Sequence, residues 1–168
     1  MTLSIELKST AQTSLENLFD HAISSPLLSG FSKTWSLPNL SYKQRGRIAG
    51  SALLQQNVIK LNPKLFVENI DYFLSHIIPH ELAHILVYQL YGLSVKPHGN
   101  EWKKLMVEVF ELAPKVTHTL DTSSAELQSF LYQCSCQQIP LSLIRHNKVQ
   151  KGKQNYICRK CKESLILV

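Results

Sequence analysis

Five consecutive residues, His80-Glu81-Leu82-Ala83-His84, place two imidazoles and a carboxylate where they can serve one metal ion. Residues four apart on an α-helix are offset by about 40° and rise about 6 Å, so His80 and His84 project from one face. Glu81 is turned about 100° from His80 and flanks the site without ligating. Zinc bound there lowers the pKa of its water to about 7, and a neighbouring carboxylate takes the proton, which is the mechanical sense of H-E-x-x-H on a helix. Chance yields the pattern in about 1–2% of chains of this composition, so a second observation is needed. His98 supplies one. It follows His84 after thirteen intervening residues, past Gly92, at the start of the next helical pattern, where an antiparallel return brings it back toward the pair. Three protein ligands with a fourth position open are what a catalytic zinc requires. Glu101 and Glu108 are rivals for the third place. His76, four residues before His80, reads as a neighbour, and His21, His118 and His146 read as non-catalytic.

A second group lies downstream. Cys134-Ser135-Cys136 is followed after 21 residues by Cys158-Arg159-Lys160-Cys161, with Tyr132 and Tyr156 nearby. Two close pairs at this separation have the spacing of a zinc ribbon. A closed four-ligand site is structural, and a segment below ~40 residues needs such a staple. The first pair is C-x-C rather than C-x2-C, which leaves His146 open as a substitute for Cys134.

The elements that must position these groups follow from pattern. Thr10–Ser25 reads as an amphipathic helix carrying Leu15, Leu18, Phe19 and Ala22, ended by Pro26. Phe31–Leu37 reads as a strand, with a turn at Pro38-Asn39. Arg47–Leu54 and Asn57–Leu61 read as two strands joined at Gln55-Gln56, the second stopped by Asn62-Pro63 and offering an edge for an extended peptide. Glu68–Tyr91 is helical, kinked or restarted at Pro79, with Gly92 as its cap. His98–Leu112 is a further helix with Trp102, Leu105, Met106, Val109 and Phe110 on its apolar stripe. Lys115–Ala125 reads as a polar linker. The expected organisation is therefore residues 1–125, bearing the histidines, and residues 126–168, bearing the cysteines.

The chain has 168 residues, 44% hydrophobic and 18% charged, which suits a packed core and excludes global disorder. No apolar run approaches the roughly 18 residues needed to span a bilayer. Met1–Lys8 lacks a basic start followed by an apolar block, so the expected compartment is the cytoplasm, where cysteines stay reduced. The formal net charge of +6 sits in the last quarter, where Arg145, Lys148, Lys151, Lys153, Arg159, Lys160 and Lys162 face only Glu163. Four thiolates on Zn²⁺ would leave that module at about +4. The charge predicts an anionic partner, with Arg145, Lys148, Lys151, Lys153, Arg159 and Lys160 as nucleic-acid contacts, salt-sensitive and weakly sequence-selective.

Taken together, Ala49-Gly50, Ile59-Lys60-Leu61-Asn62, Pro79-His80-Glu81-Leu82-Ala83-His84, Pro97-His98-Gly99 with Trp102, and the C-x-C…Arg145-His146…Tyr156-x-Cys158-x-x-Cys161 tail resemble the SprT family of zincin-like proteins. The resemblance implies an α+β fold: a zincin-like metallopeptidase domain of helices on a small antiparallel or mixed sheet, followed by a small β zinc ribbon. It implies Zn²⁺ on His80, His84 and His98 with Glu81 catalytic, and a cytoplasmic protein. The related Spartan proteases cleave proteins crosslinked to DNA in a DNA-dependent way. With seven residues after Cys161, Spartan's ubiquitin- and clamp-binding motifs are not expected here. The expected function is a zinc metallopeptidase acting on DNA-associated or DNA-crosslinked protein. The competing expectation is a non-enzymatic nucleic-acid-binding or transcription-related protein that uses the zincin fold as scaffold. An intact Glu81 favours the enzyme.

Overall fold

The computed structural model describes residues 3–125 and 128–168. It divides into two compact units, Met1–Ala125 and Glu126–Val168. The expected boundary at Glu126 and the first two residues of the N-terminal reading lie outside the described residues.

In the first unit, α1 runs Ile5–Ser24, because Ser4 caps it by accepting from the Leu7 N–H at 3.2 Å. The helix thus begins five residues before the expected Thr10, at a cap that hydrophobic period alone does not reveal. Ala11, Leu15, Phe19 and Ala22 form its buried stripe. Phe31–Leu37 is not a strand. Side chains hold this segment instead of a ladder: Gln89 Oε1 accepts from the Ser36 N–H at 3.0 Å, and Gln89 Nε2 donates to the Ser36 carbonyl at 2.7 Å. The strand comes after Pro38, which has no N–H to give, so pairing starts with the Asn39 N–H on the Asn57 carbonyl at 3.0 Å.

The sheet contains β1 (Asn39–Ser41), β2 (Gly50–Leu53) and β3 (Val58–Leu61) in the order β1-β3-β2. β1 is parallel to β3, and β2 is antiparallel to it, with Gly50 opposite Leu61 and Leu53 opposite Val58. A 3-10 turn, Leu54–Gln56, and the left-handed Asn57 (φ 52°) join β2 to β3. Both strands are shorter than the expected Arg47–Leu54 and Asn57–Leu61. More important, β3 is central, so the edge expected there for a peptide is already occupied. β1 and β2 are the edge strands among the described residues.

Asn62 is buried, and its side-chain amide bonds through both its oxygen and its nitrogen. It accepts from the Lys64 N–H at 3.1 Å, donates to the Gly46 carbonyl at 2.7 Å, and so caps a helix absent from the sequence pattern, α2 (Pro63–Glu68). α3 (Ile70–Tyr72) then runs through a π-turn, Phe73–Ile77, into α4 (Ile78–Tyr91). The disturbance expected at Pro79 therefore lies just upstream of it. Pro79 occupies the first turn of α4, where a missing N–H costs little, and the wide turn before it carries the Ile78 N–H back to the Phe73 carbonyl. Gly92 (φ 61°) ends α4, its N–H on the Tyr88 carbonyl at 2.8 Å.

α5 (Asn100–Lys104) begins two residues after the expected His98, leaving His98 in the preceding turn, and a second π-turn, Leu105–Val109, completes it short of Leu112. The core joins the α1 stripe to Ile59 and Leu61 of β3, Leu82, Ile85 and Leu86 of α4, and Trp102 with Leu105 after it. No helix among the described residues is long and apolar enough to cross a membrane.

The second unit is a hairpin of β4 (Ser129–Gln133) and β5 (Gln138–Ser142), with β6 (Ile166–Leu167) antiparallel to β4 and α6 (Leu143–Gln150) after β5. Its core is Tyr132, Leu141, Cys158 and Leu165 alone among the described residues. So few buried groups do not hold such a segment without a cross-link or metal. Both units together make an α+β protein with small mixed sheets.

Candidate metal centre and ribbon

α4 sets the first site. Its Leu82, Ile85 and Leu86 are fully buried, which turns His80 and His84 toward the opposite, open side. Their Nε2 atoms lie 3.3 Å apart. His98 joins them from the turn before α5, and one ring nitrogen of each lies within 4.8 Å of the others. His98 Nε2 is buried without a hydrogen-bond partner, an arrangement that signals a missing ligand.

Two nitrogens at about 2.0–2.1 Å from a tetrahedral zinc are about 3.3 Å apart, so the donors fit that ion. Beneath them Trp102 is completely buried and its ring meets all three imidazoles, at centroid distances of 4.8, 5.4 and 4.7 Å. Its Nε1–H donates to the His80 carbonyl at 3.4 Å. One indole thus fixes the separation of the helical pair and of the returning third histidine.

Burial, then the charges of His98 and His118, lower the His80 pKa to about 4. Burial, then His80 and His98, lower that of His84 to about 3. Both rings are therefore neutral near pH 7, with lone pairs free to ligate. Glu81 is 8% exposed; burial pushes its carboxyl up to about 8, against the pull of the Ala52 N–H that it accepts. β2 delivers that N–H, and Gly50 of the same strand lies against the Glu81 side chain.

A cleft of about 630 Å³ opens over these groups, lined by β2 residues Gly50–Ala52, by His80, Glu81, His84 and His98, and by Val116, Thr117 and His118. The last three correct the reading of Lys115–Ala125 as a linker. The segment is fastened to the first unit by Arg47 Nε donating to Thr122 Oγ1 at 3.3 Å, by Lys64 to the Ser124 carbonyl, and by Ser124 to Glu68. The place of His118 in the cleft is not legible in the sequence, because it lies in a polar Thr/Ser stretch without period. Its only local signal is that it is a histidine.

The other candidates stay apart from the cluster. Neither Glu101 nor Glu108 joins the donor group. His76 stacks on Tyr72 at 4.5 Å and lies 2.7 Å from Ser75 Oγ, set off from His80 by the π-turn. His21 meets the Val109 carbonyl at 3.0 Å. A larger and more open depression, of about 940 Å³, lies over Glu6, Thr10, Asn17 and His21 and holds no such cluster among the described residues.

In the second unit the sulfurs of Cys134, Cys136, Cys158 and Cys161 lie within 4.8 Å of one another. The Cys134–Cys136 and Cys136–Cys158 separations are 3.4 and 3.7 Å, close to the roughly 3.7 Å of sulfurs on a tetrahedral zinc. The Cys134 N–H closes the short knuckle on the Gln137 carbonyl at 3.1 Å. Hydrogen bonds at Cys158, led by the Cys161 backbone, hold its thiol down at about 6, while Cys136, bonded to Cys134, is pushed up to about 12. His146 is not in this group: it stacks on Phe130 at 3.6 Å and meets the Tyr132 hydroxyl at 3.1 Å.

Arg145 and Lys148 are exposed on α6, Arg145 over the Tyr156 ring at 5.6 Å. Lys151 and Lys153 are exposed in the turn after it, and Arg159 and Lys160 within the second cysteine knuckle.

The SprT-like family matches residues 15–121, and the SprT-like zinc ribbon domain matches residues 128–168. The chain is 51% identical over 137 residues to Protein SprT of Pasteurella multocida, covering 82% of each. It is 46% identical to that of Vibrio atlanticus, over 80% of this chain and 81% of the other. Identity to Protein SprT of Glaesserella parasuis is 49%, over 82% and 87%. No solved structure matches. With three imidazoles gathered on α4 and the turn before α5, and four thiols gathered downstream in a zinc ribbon, the chain belongs to the SprT-like family.

Proposed function

We propose that the chain is a zinc metallopeptidase that cleaves DNA-associated or DNA-crosslinked proteins in the cytoplasm. The observation that carries this is the buried Glu81 carboxylate beside three gathered imidazoles, in a cleft walled by the free edge of β2. A zinc ion on His80, His84 and His98 would supply Lewis acidity toward a peptide carbonyl and an acidified water. The charge of zinc on the neighbouring imidazoles would bring the Glu81 carboxyl down from about 8, and the carboxylate then takes the proton of the attacking water and returns it to the departing amine. The β2 edge aligns an extended peptide past Glu81. Trp102 keeps the imidazoles in register.

The exposed Arg145, Lys148, Lys151, Lys153, Arg159 and Lys160 support single-stranded DNA as a partner of the ribbon. Four free thiols suit a reducing compartment. The test compares the protein with Glu81→Gln for cleavage of a linker histone, with and without single-stranded DNA. Loss of cleavage in Glu81→Gln and stimulation by DNA are expected. Equal cleavage by both proteins would remove the catalytic assignment and leave a binding protein on a zincin scaffold; indifference to DNA would remove the coupling.

A further inference from the structure

We propose that His118 is a further catalytic residue of the cleft, donating a ring N–H to the carbonyl oxygen of the scissile peptide as that oxygen gains charge. The inference rests on the metallopeptidase reading and deepens it.

Three observations carry it. His118 lines the same cleft as His80, Glu81, His84 and His98, and also the smaller cavity behind His80, yet it is not in the group of three ligating nitrogens. It stands beside the reacting position without occupying a ligand place. Next, Nδ1 of His118 is sealed from solvent and has no hydrogen-bond partner. A neutral imidazole carries one N–H and one lone pair. A proton on the sealed nitrogen would be a buried donor with nothing to meet, an arrangement that folded proteins avoid. The proton therefore sits on Nε2, the nitrogen left for a ligand in the cleft that the ring lines.

Finally, the segment is held in place. Thr122 is tied to Arg47, Ser124 to Lys64 and Glu68, and the Ser123 N–H to Asp121 Oδ1 at 2.9 Å. A donor fixed before substrate arrives needs no reorganisation when charge develops, which is where such a group helps most. Glu81 handles the proton of the water, and the three histidines hold the metal. Among the histidines lining the cleft, His118 is the one outside the group of ligating nitrogens, so its N–H can meet the opposite pole of the reaction. No bond to His118 forms and no proton leaves it; the contact is a hydrogen bond that strengthens as the carbonyl becomes tetrahedral.

The test uses the full zinc-loaded chain with His118→Ala, His118→Gln and Glu81→Gln, cleaving a linker histone in the presence of single-stranded DNA. For His118→Ala, kcat is expected to fall about 10²- to 10³-fold, with KM and bound zinc unchanged. His118→Gln, which keeps a side-chain N–H, should recover part of the loss. Phosphoramidon, whose tetrahedral phosphoryl group imitates the charged oxygen, should bind His118→Ala at least about tenfold more weakly than the parent. Full activity in His118→Ala alongside an inactive Glu81→Gln would overturn this inference and leave the peptidase reading standing. Loss of zinc in step with activity, or equal phosphoramidon binding by parent and His118→Ala, would also overturn it. Undiminished cleavage by Glu81→Gln would instead bring down the peptidase reading itself.

Discussion

Gly50 and Glu81 are in contact across the boundary between β2 and α4: a β-carbon on Gly50 would sit 3.1 Å from Glu81 Cγ and 3.2 Å from its Oε1. The same atom would be 2.8 Å from Ile77 Cγ2, too close to stand unrelieved. Gly50 is therefore the residue that lets the carboxylate reach the Ala52 N–H. Gly50→Ala should displace Glu81 and lower kcat by about tenfold or more, since small misplacements of a reacting group are costly. Zinc content should remain that of the parent, because the atoms nearest that β-carbon belong to Ile77 and Glu81, neither of them in the group of ligating nitrogens. Metal analysis beside steady-state kinetics checks the pair of outcomes, and zinc loss would contradict the positioning role.

Trp102 packs on all three histidines, so its emission should report the ion. In a Trp35→Phe background, chelation by 1,10-phenanthroline should change Trp102 fluorescence, and zinc should restore it. The change should vanish in His84→Ala. Zinc at a hundred times its Kd should also stabilise the folded chain by about 2.7 kcal/mol, read from denaturant unfolding. Fluorescence indifferent to the metal would place the ion elsewhere.

The metal-free first unit, whose unfolding Trp35 and Trp102 report, should be most stable near pH 6.5. Folding lowers the pKa of His80 and His84 to about 4 and about 3, so between those values and about 6.5 the unfolded chain binds more protons and stability falls on acidification. Folding raises Glu81 to about 8; between its ordinary value and 8 the folded chain binds more protons, and stability falls as pH rises. Two histidines outweigh one glutamate below about 6.5, and the glutamate acts alone above it. Unfolding midpoints across pH should trace this maximum, and Glu81→Gln should flatten the alkaline arm alone. An alkaline arm that survives Glu81→Gln would assign it to another group.

Glu163 bridges the two cysteine knuckles. Its Oε2 accepts from the Ser135 N–H at 3.0 Å, and its carbonyl accepts from the Cys158 N–H at 2.8 Å. Glu163→Ala should weaken zinc binding by the ribbon about 10- to 100-fold in chelator competition. Glu163→Gln, which keeps the acceptor, should lose much less. Equal affinity of Glu163→Ala and parent would deny the bridge any role.

Lys151, Lys153 and Lys160 lie exposed on the ribbon. Replacing all three with Ala should reduce the slope of log affinity against log salt for single-stranded DNA by about 2, since each phosphate that a lysine neutralises adds roughly 0.7 to that slope. An unchanged slope would assign the DNA to other cations.

Much of this was readable in the residues, and the unread parts have physical causes. His80, Glu81 and His84 lie on one helix, where period fixes direction, and His98 was placed by the length of the turn. The cysteines were placed by local spacing, and their gathering at one point sets His146 aside from the cluster. The strand over Phe31–Leu37 failed because Gln89 and Asn57, distant in sequence, bind the Ser36 backbone through side chains. α2 was unread because its six residues are too few to show a period and are announced only by the cap at Asn62. The free edge at β2 depended on strand order, which alternation of apolar residues does not encode.

The π-turn Phe73–Ile77 makes the length of this region as consequential as its composition. Upstream, the Phe73 ring must meet Phe66, whose centroid is 5.2 Å away. Downstream, His80 and His84 must face the cleft. An ordinary helix would impose one phase on both demands, and the wide turn supplies the offset between them. Removing a single residue there would rotate everything beyond it by about 100°, carrying the paired imidazoles out of register with His98 even if every side chain kept its chemistry. Point substitutions can drift through such a segment gradually; insertions and deletions can only miss or hit, so the three-histidine cluster is guarded by counting as much as by packing.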